Sequence, residues 1–276
     1  MARIQSKNSL TSSSNPQLER QAKRINRQQK HIDREMVSDM YGQSSTQLTG
    51  AKGRGITLKN LKTIKPLTDM QSNFFDAYED GGEAFVLYGS AGTGKSTIAL
   101  GLSLPELLDT ESNYEKIIII RSTVQTRNQG FLKGSIEEKL EPFTAPYYGI
   151  FEFLTGRKDA YEKLVDAGKV EFVSSSLLRG CTFDSAIVVV DECQSMTWHE
   201  LSTITTRVGK GTKIIFCGDY AQNDLIVSKN DVSGFKEFIE VTSRMDEFGL
   251  FKFTTDDIVR SNFVKQFLIQ CEKLGL

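Results

Sequence analysis

Residues that staple or metallate small folds are scarce in this sequence: its 276 residues include four cysteines and two histidines. Cys181, Cys193, Cys217 and Cys271 are widely spaced with no Cys-x-x-Cys pair, which argues against a zinc cluster and a disulfide framework and fits a reducing, cytoplasmic setting. They are expected to lie as small apolar side chains beside buried strands. No apolar run approaches the about 20 residues of a bilayer-spanning helix, and Met1-Ala2-Arg3-Ile4-Gln5 opens without the apolar stretch of a secretory signal. No membrane is therefore expected among the partners. Charge of one sign is also missing: a formal net charge of -1 removes any chain-wide polyanion signature, although local patches persist. There is no internal repeat.

Large apolar side chains are sparse over residues 1 to 55, where Ser, Gln, Asn, Lys and Arg dominate. Such a composition cannot build a core of its own. Within it, Leu18, Ala22, Ile25, Ile32 and Met36 recur at heptad-like intervals among Arg20, Lys23, Arg24, Arg27, Lys30 and Arg34. This spacing predicts a basic amphipathic helix over about 17–41, which either stays solvated or engages nucleic acid or another copy. Gly50-Ala51-Lys52-Gly53-Arg54-Gly55 reads as a flexible linker.

From residue 56 to 276 apolar runs alternate with helical segments. Strands are expected at Phe85–Tyr88, Lys116–Ser122, Val170–Ser174, Ala186–Val190 and Lys213–Cys217. Their hydrophobicity is continuous rather than alternating, as in strands covered on both faces of a parallel sheet. Helices are expected at Asp69–Tyr78, after Ser96, at Ile136–Leu140, Tyr147–Leu154, Asp159–Ala167, Trp198–Arg207 and Val264–Leu274. One α/β domain with a mostly parallel, doubly wound sheet accounts for this pattern.

Gly89-Ser90-Ala91-Gly92-Thr93-Gly94-Lys95-Ser96 stands between the first of these strands and the stretch Thr97-Ile98-Ala99-Leu100. It is a complete phosphate-binding string of the P-loop type in its strand-to-helix setting, so residues 89–97 are expected to bind a nucleoside triphosphate. The glycines let backbone N–H groups converge on phosphate, Lys95 reaches the β- and γ-phosphates, and Ser96 offers its hydroxyl to Mg²⁺. Ala186-Ile187-Val188-Val189-Val190 ends in Asp191-Glu192, where Asp191 is expected to hold Mg²⁺ and Glu192 to orient or deprotonate water. That pairing favours hydrolysis over transfer to a small molecule. After the strand at 213–217, Gly218-Asp219-Tyr220-Ala221-Gln222 places Gln222 as a γ-phosphate or water sensor. Ser228-Lys229-Asn230-Asp231 lacks the guanine-reading order Asn-Lys-x-Asp, which tilts the nucleotide to ATP. In Thr68-Asp69-Met70-Gln71, Gln71 either reads the adenine edge or is a solvated residue of a helix capped by Thr68 or Asp69.

Together these blocks resemble the PhoH-like family of ATPases, related to the N-terminal RecA-like domain of superfamily 1 helicases. The resemblance spans roughly 60–270. It is carried by the phosphate loop, Arg121 with Gly130-Phe131-Leu132-Lys133-Gly134 and Glu137-Glu138-Lys139, Leu178-Arg179-Gly180, Asp191-Glu192-Cys193-Gln194 through Thr206-Arg207-Val208-Gly209, and Gly218 to Leu225. Ser122 and Cys181 depart from the pattern, Cys181 by removing a cation. The resemblance implies a RecA-like sheet and an arginine finger at Arg260, in Asp256-Asp257-Ile258-Val259-Arg260, with Arg207 as second candidate; either could instead pair with a local carboxylate. Superfamily 1 helicases close the nucleotide between two such domains, and the residues after Ser96 leave room for one. A homo-oligomeric ring, expected as a hexamer, would then supply the arginine from a neighbour. The expected activity is Mg²⁺-dependent ATP hydrolysis coupled to RNA or single-stranded DNA, with Arg121, Arg127 and Lys133 as candidate polyanion contacts. The alternative is a nucleotide-dependent assembly module. The aromatics Phe143, Tyr147, Tyr148, Phe151 and Phe153 read as core or subunit interface.

Overall fold

A computed structural model describes residues 55–123, 136–178, 182–219 and 233–274. The arm, the block around Lys133, Arg179 to Cys181 and the segment containing Gln222 lie outside the described residues. Among the described residues six strands form one sheet: β1 (Ala84–Gly89), β2 (Lys116–Arg121), β3 (Val170–Ser174), β4 (Ala186–Asp191), β5 (Lys213–Asp219) and β6 (Phe248–Phe253). Every pairing is parallel and the spatial order is β3-β2-β4-β5-β1-β6. The strand carrying the phosphate loop is thus separated from the strand carrying Asp191 by β5, and all three end on the same edge.

The continuous apolar runs arise because both faces of the sheet are buried. Leu87, Ile117, Ile119, Ile187, Val189 and Ile215 point to one face, against α1 (Asp69–Glu79), α2 (Lys95–Leu108), α3 (Ile136–Thr155) and α4 (Ala160–Asp166). Their neighbours Val86, Ile118, Ile120, Val188, Val190 and Phe216 point to the other, against α5 (Trp198–Thr205) and α6 (Phe235–Thr242). Strand alternation sorts adjacent apolar residues into two cores. The last helix, α7 (Asn262–Leu274), buries none of its residues among those described.

Three features differ from the sequence expectation. The helices expected at 136–140 and 147–154 are one continuous α3, which runs through Pro142 and Pro146. Each proline removes an N–H from the helix ladder; burial of Tyr147, Phe151 and Leu154 holds the segment helical nonetheless. Strand β6 and helix α6 are additions to the expected elements. β6 is an edge strand whose Lys252 is exposed and whose Gly249 interrupts its apolar run, so its sequence lacks the signature of the central strands.

At the start of β5, the opposite end from the phosphate loop, Lys213 is buried. Its ammonium donates to both carboxylate oxygens of Glu106 at 2.9 Å and lies 3.7 Å from the centroid of the Tyr78 ring. The Tyr78 hydroxyl also donates to Glu106.

Candidate nucleotide and metal site

The phosphate loop turns where β1 ends and α2 begins. Gly92 and Gly94 have φ of 73° and 80°, a left-handed geometry that side chains with a Cβ rarely adopt. Gly89 is constrained by contact as well: a Cβ there would overlap the Phe253 carbonyl of β6, which accepts a hydrogen bond from Ser90 N at 3.1 Å. Inside the loop, Thr93 Oγ1 donates to the Ser90 carbonyl at 3.1 Å. Lys95 Nζ donates to the carbonyls of Gly89 and Ser90 at 3.1 and 2.8 Å and lies 3.3 Å from Thr93 Oγ1, so the cation is held at the mouth of the cradle. Burial pulls the Lys95 pKa below its ordinary value, while Asp219, Cys217, Glu192 and Asp191 oppose the shift.

Gln71 is fully buried beneath this loop, which corrects the expectation of a solvated residue. Its Nε2 donates to the Thr93 carbonyl at 3.0 Å and its Oε1 accepts from Leu67 N at 2.8 Å. Thr68, not Asp69, caps α1, its hydroxyl accepting from Gln71 N at 3.3 Å. The Gln71 side chain therefore braces the loop from below.

Asp191 ends β4 beside the start of α2. Ser96 Oγ donates to its Oδ1 at 2.6 Å, and Tyr147 OH donates to its Oδ2 at 2.9 Å. Both carboxylate oxygens are thereby oriented, one by the loop and one by α3. Burial and the Asp191 charge push the Tyr147 phenol well above its ordinary pKa, so it remains a donor. Of the two sequence readings of Tyr147, core or interface, the core is the one observed, and its hydroxyl turns from there toward the site. Nothing in the local sequence marks it, because it shares an apolar helical stripe with Phe151 and Leu154. Removing this hydroxyl with Tyr147→Phe is expected to weaken apparent Mg²⁺ affinity in a nucleotide-hydrolysis titration by about 10-fold. An unchanged Mg²⁺ dependence would show that Ser96 alone orients Asp191.

Glu192 follows in the left-handed region, with φ of 56°, which turns its carboxylate off the strand. Its Oε2 accepts from Gln194 Nε2 at 2.5 Å, and Arg121 lies 3.9 Å from its Oε1. Gln194, buried, also accepts from Asp219 N at 2.9 Å through Oε1. One amide thus joins Glu192 to the end of β5, three residues before Gln222. Burial raises the Glu192 pKa, with Asp191 adding to the rise and Arg121, Gln194 and Lys95 countering it. A base must be ionised to work, so activity that depends on Glu192 falls as pH drops through this raised pKa. Arg121→Met removes a countering charge and is expected to move the acid limb of the kcat profile to higher pH. A limb that stays in place would separate Glu192 from the rate.

These groups face a cleft of about 620 Å³ whose walls include Gly92, Lys95, Arg121, Asp191, Glu192 and Arg260. Ala91, Thr97 and Ser96 also line it. Arg260 reaches the cleft because β6 pairs with β1 and carries residues 254–260 over the loop: Val259 N donates to the Gly92 carbonyl at 3.1 Å, and a Cβ on Gly92 would come within 2.9 Å of Arg260 Cγ. The arginine expected from a neighbour accordingly sits on its own chain's loop. Arg207 does not. Its carbonyl accepts from Phe183 N at 2.8 Å, ahead of β4, so the length of that strand, about 17 Å, separates its backbone from the edge holding the cleft. Gln222, Arg127 and Lys133 lie outside the described residues.

A family model described as PhoH-like protein matches residues 63–271. The chain belongs to the PhoH-like family. A PhoH-like protein of Mycobacterium tuberculosis (strain ATCC 25618 / H37Rv) is 30% identical over 207 residues, covering 74% of this chain and 57% of the relative. One of Bacillus subtilis is 29% identical over 240 residues, covering 87% and 70%, and protein PhoH of Escherichia coli is 29% identical over 250 residues, covering 88% and 68%. The chain thus spans less than two thirds of the length of the mycobacterial relatives. Among solved structures, the large terminase of a thermophilic bacteriophage in complex with ADP is similar at 15% identity and a TM-score of 0.44, over 73% of this chain and 49% of the terminase. The Pif1 helicase of Candida albicans is similar at 18% identity and a TM-score of 0.38, over 77% and 44%. Likenesses this distant carry no functional argument. The PhoH-like match and the P-loop cleft together show a nucleotide-binding NTPase fold. Among the described residues no helix is long and apolar enough to cross a membrane.

Proposed function

We propose that this PhoH-like protein binds ATP at residues 89–97 and hydrolyses it with Mg²⁺. The observation that carries the reading is the convergence of Lys95, the Ser96–Asp191 pair and Glu192 on one cleft. Two hard oxygens 2.6 Å apart, from Ser96 and Asp191, fit Mg²⁺, whose preference is for oxygen ligands. Bound there, Mg²⁺ would neutralise charge on the phosphate oxygens. Lys95 would turn from loop carbonyls to phosphate, and Glu192, held by Gln194, would orient or deprotonate the attacking water. Arg260 is the candidate finger within its own chain, while Arg207 could serve only a neighbour's site. Because Gln71 is buried, an adenine contact would require the loop to open; we assign it the bracing role, and the ATP preference rests on the missing guanine-reading motif.

We further propose that turnover is coupled to RNA or single-stranded DNA in a homo-oligomeric ring. Arg121 at the cleft, six and twelve residues ahead of the basic residues Arg127 and Lys133, supports the nucleic-acid part. The assembly-module alternative keeps one observation in its favour: on α7, just past Arg260, Phe263 and Phe267 are 80% and 61% exposed, an apolar face suited to a second copy. An ATPase assay with and without RNA or single-stranded DNA at low salt, with the mass determined with and without nucleotide, separates these readings. Stimulation of kcat by nucleic acid is expected. Hydrolysis that ignores both nucleic acids, in a species whose mass responds to nucleotide, would favour the assembly module.

A further inference from the structure

On the far side of α3 from the nucleotide cleft lies a second concavity, about 730 Å³, between α3, α4 and the edge strand β3. Its floor is apolar, with Leu140, Tyr148, Val165 and Phe172, and Val165 is 41% exposed. Its rim is acidic, with Glu141, Glu162, Asp166 and Glu171; among the described lining residues the one cation is Lys116, which pairs with Glu171 at 2.6 Å. Exposed apolar surface under a one-signed rim suits an amphipathic partner of opposite charge.

The chain carries such a segment. Residues 20–30 hold Arg20, Lys23, Arg24, Arg27 and Lys30 with no carboxylate, and Leu18, Ala22, Ile25 and Ile32 repeat at helical spacing. The tether also has the right length. The described chain crosses the C-terminal end of α3, where Lys62 N donates to the Leu154 carbonyl at 2.8 Å and Lys62 Nζ lies 5.1 Å from the Phe153 ring centroid. From Leu154 back to Glu141 along the helix is about 20 Å. Residues 33–54, between the segment and the start of the described chain at Gly55, can reach at most roughly 75 Å, several times that distance, so the groove of the same chain is within the tether's span.

We propose that the basic segment Leu18–Ile32 docks in the α3–α4–β3 groove of its own chain, its apolar stripe on the floor and its cations on the rim. This is independent of the nucleotide chemistry. The groove is on the helix that carries Tyr147, and Gly149, Ile150 and Phe153 of that helix line the nucleotide cleft. A docked arm would therefore brace the wall between the two.

The test uses the full-length protein, freed of nucleic acid by nuclease and mixed one to one with nitrogen-15-labelled protein. A water-soluble carbodiimide then joins carboxylates to amines in contact. Links from Lys23 or Lys30 to the four rim carboxylates are expected, both halves of each linked peptide bearing the same isotope. The Lys116–Glu171 link is the internal control. The triple variant Arg20→Glu, Arg24→Glu, Arg27→Glu should lose the arm links by on the order of tenfold while keeping the control. A control link without arm links, or arm links that survive charge reversal, would overturn the proposal. Mixed-isotope peptides would assign the groove to the arm of a second copy and overturn docking within the chain.

Discussion

Lys95→Ala is expected to lower ATP turnover by roughly 10³-fold while leaving the fold intact. The ammonium is placed by covalent geometry at the first position of α2 and by hydrogen bonds to two loop carbonyls, so it faces the cleft before any ligand arrives. A charge held in advance costs no reorganisation when negative charge develops on the phosphates, and the buried setting makes its field strong. The same burial lowers the Lys95 pKa, which means the native state gains little from holding the cation there. Losing it removes hydrogen bonds but also relieves desolvation, and the thermal midpoint should move by only a few degrees. Lys95→Arg should not rescue turnover, since a planar guanidinium cannot occupy a point-charge position between these oxygens. Single-turnover hydrolysis and a melting curve on each variant check both halves. Retention of more than a tenth of the activity in Lys95→Ala would move hydrolysis away from this loop.

Glu106→Ala is expected to do the reverse, destabilising the protein by about 3 kcal/mol while leaving the cleft chemistry alone. The carboxylate accepts two hydrogen bonds from Lys213, whose side chain is 4% exposed, and one from Tyr78. Deleting it strands a buried ammonium against an aromatic face, and the lower end of the range for a broken buried pair applies because Glu106 itself is 30% exposed. Lys213 begins β5 whereas Asp219, at the cleft, ends it, so the damage lies a strand length from the site. Urea unfolding should show a lowered midpoint with an unchanged slope. The double variant Glu106→Gln, Lys213→Met keeps the volume without the charges and should recover most of the loss. Wild-type stability in Glu106→Ala would mean that water reaches Lys213 and the pair is a surface contact.

Much of the site is legible without coordinates because its parts are local. Gly89 to Ser96 is read from one strand, one turn and the start of one helix, and Asp191-Glu192 from the end of a single apolar run. The four central strands are legible for a related reason: a strand covered on both faces has no polar side to interrupt it. Tyr147 and Gln194 escape sequence reading because their roles come from atoms 44 and 25 residues away, the Asp191 carboxylate and the Asp219 amide. Gln71 admits two readings in sequence, and the structure replaces the solvated one with a buried brace, since Thr93 arrives over it from 22 residues downstream.

Sequence alone thus determined a phosphate loop, an acidic strand end and a doubly wound α/β sheet, because each is encoded in contiguous residues whose spacing matches one backbone geometry. Tertiary structure decided which arginine meets the phosphates' own cleft. That depended on β6, whose weak edge-strand pattern becomes a strand by pairing with β1, and that pairing brings Arg260 over Gly92, whereas the Arg207 carbonyl is held by Phe183 N ahead of β4, at the other end of the strands.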